Sequence, residues 1–108
     1  EGPVVTGFSR RDLEGRDPIS TRFFRQAVEL ARIADAGALK RNVSEVHHDP
    51  QEGFTVVTRD GGVQFRIGRL EVPEAMKRVE KALSEIPGLS RAVVDLRSEG
   101  RVVFNTGG

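Results

Sequence analysis

The chain has 108 residues, of which 31% are charged, and its 17 Lys and Arg nearly balance its 16 Asp and Glu to give a formal net charge of +1. This length supports one domain with a single core. The balanced charge argues against a nucleic-acid surface, which usually carries a basic excess, and against a polybasic membrane patch. Without cysteine, disulfides, thiolate chemistry and Cys-ligated zinc are excluded. The sequence shows no signal peptide and no apolar run near the roughly twenty residues of a membrane span.

The first part of the chain predicts one long helix. Glu1–Phe8 is a short apolar segment, either a brief strand or an extended lead-in, and Ser9–Asp12 is a weak helix start. Asp17 is a good N-cap, Pro18 suits a first helical position, and Gly37 is a plausible C-cap. The apolar positions that recur at helical spacing between them are Ile19, Phe23, Ala27, Leu30, Ala31 and Ala34.

The middle of the chain predicts three strands. Arg41–His48 favours a strand, although its valines do not alternate cleanly, and the turn Asp49–Gly53 follows it. Phe54–Thr58 is β-branched and predicts the second strand. Asp60–Gly62 is a hairpin signal, and the third strand, Val63–Ile67, has the period-two alternation of a half-buried strand.

The last part predicts a helix and a terminal hairpin. The helix follows Pro73, carries apolar residues on one face and polar residues on the other, and ends at Pro87-Gly88. Its apolar face holds Val72, Met76, Val79, Leu83 and Ile86, and its polar face holds Lys77, Arg78, Glu80, Lys81 and Glu85. Strands Val93–Arg97 and Arg101–Asn105 then flank the turn Ser98–Gly100.

This order of elements predicts one α+β domain over residues 1–108. The short connections between strands favour antiparallel pairing. Two amphipathic helices need a surface to cover, so we expect a two-layer domain in which a mainly antiparallel sheet of about five strands packs against both helices.

The final strand is the most unusual segment of the chain. Arg101–Asn105 has three consecutive apolar residues, no proline and one charge, and only Thr106–Gly108 follow it here. We expect it at a sheet edge, where its open N–H and C=O groups either promote aggregation or accept another chain. Val102 and Phe104 share one face of this strand and Val103 shares the other with Arg101 and Asn105. The sequence leaves open which face is exposed and whether Phe104 belongs to the core.

The residue patterns predict no catalytic, cofactor or metal site. His47-His48-Asp49 is the one cluster that invites a metal, but strand neighbours point to opposite faces and a third ligand is missing. We therefore expect two partly exposed polar side chains at a strand end. Asp95 and Arg97 share a face and form either a structural ion pair or part of a docking edge. Phosphate loops, a nucleophile elbow and a base-stacking platform are also absent from the sequence.

Four local patterns, in order, resemble a known family. Pro3–Gly7 resembles an "LP-x-x-x-G" opening, and Val63–Arg69 ends on an apolar-Gly-Arg step. A basic-dotted amphipathic helix follows, and Val94–Arg97 matches a hydrophobic-Asp-Leu-Arg step. Together they resemble the extracytoplasmic β domain of the FtsQ/DivIB cell-division family.

The resemblance implies a non-catalytic divisome scaffold that recruits FtsB/FtsL-type (or DivIC-type) partners during septum formation. It also implies a fragment of a single-pass inner-membrane protein, with this domain on the periplasmic side and the membrane span and POTRA domain absent. In the family the final strand region takes a partner strand. Carried over by position, the partner-binding residues are Arg97, Ser98, Gly100, Arg101, Val102, Val103, Phe104 and Asn105. Ser98 and Thr106 depart from the family's aromatic residues, which weakens the side-chain part of this inference.

Two alternatives remain open from the sequence. The domain could be another envelope interaction module of POTRA-like build, serving secretion or outer-membrane assembly. An enzyme is the third hypothesis, which a ligand or metal at His47-His48 would revive. An exposed final strand could also pair with its own copy in a crystal.

Overall fold

The computed structural model describes residues 3–14, 17–37, 42–59, 62–86, 88–98 and 102–105. These form six strands and three helices, where the sequence predicts about five strands and two helices, and the predicted α+β class is confirmed. The strands are β1 (Val4–Thr6), β2 (Val43–Asp49), β3 (Gly53–Thr58), β4 (Gln64–Gly68), β5 (Ala92–Asp95) and β6 (Val102–Asn105). The helices are α1 (Arg10–Leu13), α2 (Pro18–Asp35) and α3 (Val72–Glu85).

The six strands lie side by side in the order β1-β2-β3-β4-β5-β6. The pairs β2–β3, β3–β4 and β5–β6 are antiparallel, as expected from short connections. The pairs β1–β2 and β4–β5 are parallel, because each connection contains helix and returns the chain in its original direction. The sheet is thus mixed, and the apolar lead-in supplies the sixth strand.

Helix α2 begins and ends where its sequence predicts. The Asp17 carboxylate accepts a hydrogen bond from the Ile19 amide at 3.0 Å, and Pro18 occupies the first turn. The Gly37 amide donates to the Ala34 carbonyl at 3.0 Å just past the helix end. The apolar stripe serves the core only from Phe23 onward, since Ile19 is 64% exposed, contrary to its expected place on the buried stripe.

The core lies between α2, α3 and one face of the sheet. Helix α3 presents two alanines and a valine to it, all of them buried. The largest fully buried side chains are Phe54, Phe65, Leu30, Ile67, Val46, Val56, Val63, Val79 and Val94.

A bulge in β2 explains its irregular hydrophobic pattern. Val43 pairs with Thr58 while Glu45 pairs with Val57, so β2 carries one extra residue there. Val43 and Val46, three positions apart, are consequently both buried. Within the described part of the chain, no helix has both the length and the apolar character needed to cross a membrane.

Candidate partner-binding edge

Strand β6 ends the sheet. Its backbone pairs with β5 alone among the described strands, with Val102 opposite Asp95 and Phe104 opposite Val93. The predicted edge position of Val102–Asn105 is therefore confirmed for the backbone. Of the other sequence-predicted site residues, Arg97 and Ser98 lie two and three residues after the end of β5, whereas Gly100 and Arg101 lie outside the described residues.

Strand β5, which pairs with β6, is packed into the core. Ala92 and Val94 of β5 are fully buried, and so is nearly all of Leu96 just after it. The Leu96 amide donates to the Arg66 carbonyl of β4 at 2.9 Å, which extends the β4–β5 pairing past the end of β5. The edge strand therefore pairs with a well-anchored neighbour.

Arg97 forms a three-membered ion cluster at the end of β5. Its guanidinium donates to both Asp95 oxygens, from Nε at 2.9 Å and from Nη2 at 2.6 Å, and its Nη1 donates to Glu52 at 2.5 Å. The Asp95–Arg97 pair was predicted, but Glu52, 45 residues earlier in the β2–β3 turn, was not. Hydrogen bonds from Arg97 lower the pKa of Asp95, and the same pairing raises the pKa of Arg97. The cluster ties two distant turns together.

Gly68 makes room for this cluster. Its φ of 63° is in the left-handed region, and a Cβ atom there would lie 2.9 Å from Arg97 Cγ. The Arg97 stem therefore lies directly over the Gly68 backbone. This contact gives the apolar-Gly-Arg step at the end of β4 a physical meaning.

Arg78 of α3 reaches the same segment from the helix layer. Its Nη1 donates to the carbonyls of Leu96 at 2.7 Å and Ser98 at 2.8 Å, while its Nε donates to Glu74 at 2.9 Å. The sequence pattern placed Arg78 on the solvent face of the helix. The Glu74–Arg78 spacing signals an ion pair, but no local pattern shows that the arginine also contacts a loop 18 residues later.

The sheet face opposite the helices is polar. A shallow groove there is lined by Glu45, His47, Asp49, Glu52, Thr55, Val57, Gln64, Arg66 and Arg97. At the β1 end, the Thr6 hydroxyl contacts the Glu45 carboxylate and lies 2.8 Å from His47 Nδ1.

The two adjacent histidines face opposite sides, as predicted. His47 is half-exposed on the polar face, but His48 is only 8% exposed, so the expectation that both are partly exposed is wrong for His48. The strand alternation that separates the rings sends His48 into an aromatic cluster, with centroids 4.8 Å from Phe8, 5.1 Å from Phe23 and 4.8 Å from Phe54. Burial lowers the pKa of His48. No group of three potential metal ligands occurs among the residues described.

The fold is a two-layer α+β arrangement in which β6 lies at one end of the described sheet, a position that allows pairing with another chain. A family model described as "Cell division protein FtsQ/DivIB, C-terminal" matches residues 2–97. The chain is 31% identical over 86 residues to the cell division protein FtsQ of Anaeromyxobacter sp. (strain K). It is 30% identical over 87 residues to the cell division protein FtsQ of Geotalea daltonii.

The chain belongs to the FtsQ/DivIB cell-division family, as the four sequence patterns predicted. The two alignments cover 78% of this chain but only 29% and 31% of the relatives. The chain thus spans less than a third of the length of either relative. The residues matched by the family model end at Arg97, before β6 begins.

Proposed function

We propose that this domain is a non-catalytic module of the bacterial division machinery that recruits FtsB/FtsL-type (or DivIC-type) partners during septum formation. Family membership supports the division role. The observation that carries the binding mode is the open position of β6, which pairs with β5 on one side only within the described sheet. A partner strand added to the other side would complete its main-chain hydrogen bonds.

The proposed contact surface runs from Arg97 to Asn105. Backbone pairing sets the register and needs no particular side chain, so the departure at Ser98 does not weaken it. Arg97 is already engaged by Asp95 and Glu52, which favours a structural role for it. Arg101 is the better candidate for steering acidic residues of a partner, with more effect on association rate than on affinity.

We further propose that residues 1–108 are one domain of a longer single-span protein and lie on the extracytoplasmic side of the inner membrane. Two facts support this placement. The resemblance of the sequence to the FtsQ/DivIB family implies that architecture. The chain also spans less than a third of the length of its curated relatives.

Pull-down and calorimetry with the extracytoplasmic segment of the FtsB-type protein from the same genome test the proposal. We expect Phe104→Glu or Val103→Glu to abolish binding, because a charge on the edge strand opposes docking of an apolar partner strand. Circular dichroism must show that each variant stays folded. Val28→Glu, a charge placed on an exposed apolar residue of α2, is the matched control and should bind normally. Normal binding by both folded edge variants would overturn the proposal.

A further inference from the structure

We propose that Arg78 is the positioning residue of the docking edge. It fixes the backbone just after β5 and thereby helps to hold β6 in position for an incoming strand. This inference rests on the proposed function for its biological meaning, although its structural part can be tested without a partner.

Two backbone carbonyls converge on one nitrogen of Arg78. Arg78 Nη1 lies 2.7 Å from the Leu96 oxygen and 2.8 Å from the Ser98 oxygen. Carbonyls two residues apart on an extended strand point to the same side but lie too far apart to share one donor. The backbone must therefore bend between Leu96 and Ser98, and the guanidinium holds that bend with charge-assisted bonds.

Arg78 is itself held in place. Its Nε donates to Glu74 one turn earlier in α3, and its side chain is only 21% exposed. A planar guanidinium with a fixed fork of donors can satisfy the carboxylate and both carbonyls together. A lysine ammonium is a point charge and cannot reproduce this arrangement.

The same segment is also held from its other side. Arg97 lies between the two bonded carbonyls in sequence, and its guanidinium binds Asp95 and Glu52 beside the polar groove. Arg78 and Arg97, here called the arginine clamp, thus hold residues 96–98 from the helix layer and from the polar face. The last described residues before β6 are consequently fixed on both sides.

The chain supplies a matched control for an ordinary helix-surface ion pair. Arg32 of α2 donates two hydrogen bonds to Glu29, at 3.2 and 2.7 Å, and its side chain is 68% exposed. Removing Arg32 deletes a comparable helical pair without touching the chain after β5.

Amide hydrogen exchange and partner binding, measured on the wild type, Arg78→Ala, Arg78→Lys and Arg32→Ala, test the inference. We expect Arg78→Ala to accelerate exchange of the β6 amides paired with β5 by about tenfold or more relative to β3 amides, since it removes bonds to two carbonyls. Binding of the FtsB-type segment should weaken by a similar factor. Arg78→Lys should fall between Arg78→Ala and the wild type, and Arg32→Ala should leave the β6-to-β3 ratio unchanged.

Three outcomes decide the matter. Unchanged β6 exchange in Arg78→Ala would overturn the inference, and so would equal acceleration in all strands, which indicates general destabilisation. Selective acceleration of β6, with wild-type domain that fails to bind the segment, would uphold the positioning role and refute the proposed partner.

Discussion

The two edges of the sheet are built differently. Strand β1 has three residues, pairs in parallel with β2, and ends where Thr6 contacts Glu45 and His47. Strand β6 pairs antiparallel with β5 and follows a segment held by the arginine clamp. Very short edge strands limit unwanted pairing, and β1 is one residue shorter than β6. The two edges thus differ in pairing direction and in how the neighbouring chain is held, and we propose that the fixed segment before β6 suits that edge for docking.

Substitution of Gly7 should disrupt the pairing of β1 with β2. Its φ is 93°, and a Cβ atom there would lie 1.9 Å from the His48 carbonyl oxygen. Gly7→Ala should therefore detach β1 and lower the melting temperature by about 10 °C or more, from clash and left-handed strain together. Calorimetric melting checks this.

Gly37→Ala is the control, because Gly37 has a similar φ of 85° but open space around its Cβ position. Gly37→Ala should lower the melting temperature clearly less than Gly7→Ala, since it introduces the left-handed strain without the clash. Equal melting temperatures for the two variants would show that Gly7 makes no close contact with β2. Partner binding at β6 should survive in Gly7→Ala at temperatures where the domain is folded.

Substitution of Asp95 should weaken the ion cluster next to β6. Asp95→Asn removes the carboxylate that accepts two bonds from the Arg97 guanidinium, so we expect a melting temperature lower by about 5 °C. Glu52→Gln alters the more exposed member of the cluster and should cost less than about 2 °C. The reverse order would show that Glu52, and not Asp95, holds Arg97.

Acid should affect the β1 side first. His48 packs on Phe8, which follows β1, and burial lowers the pKa of His48 below its ordinary 6.5. The unfolded chain then binds the proton more tightly than the folded chain. Stability is therefore complete above pH 6.5 and is lost as the pH falls through 6.5 toward the folded pKa.

Urea unfolding between pH 8 and pH 5 measures this loss. Four charged or titratable groups act on His48: Asp49 and Asp12 favour its charged form, and His47 and Arg69 oppose it. Asp12, Asp49 and Asp95 have pKa values below 3.8 in the fold, so their own titration affects stability at lower pH. His48→Phe should flatten the pH dependence. A slope that persists in His48→Phe would refute the assignment.

Much of the fold could be predicted from local sequence. The capping residues Asp17 and Gly37, the helical stripes and the turn signals placed the long helices and the strands, because each depends on neighbouring residues. The family resemblance was carried by similarly local steps, and the comparisons confirmed it.

What local sequence could not provide were contacts between distant segments. Glu52 binds Arg97, 45 residues later in the chain, and Arg78 binds the Leu96 carbonyl, 18 residues later. The local sequence around Glu52 and Arg78 does not indicate either partner. The burial of His48 likewise depends on Phe8 and Phe23 arriving from other elements. The parallel pairs were missed because β1–β2 and β4–β5 are joined through helices, and the order of elements does not by itself show which strands become neighbours.

Residue-resolved amide exchange of the domain, with and without the FtsB-type segment, tests strand addition at β6. New protection is expected at Val102–Asn105, where outward-facing amides gain a partner, and none at β1. New protection at β1 or along α2, with β6 exchange unchanged, would contradict strand addition at β6.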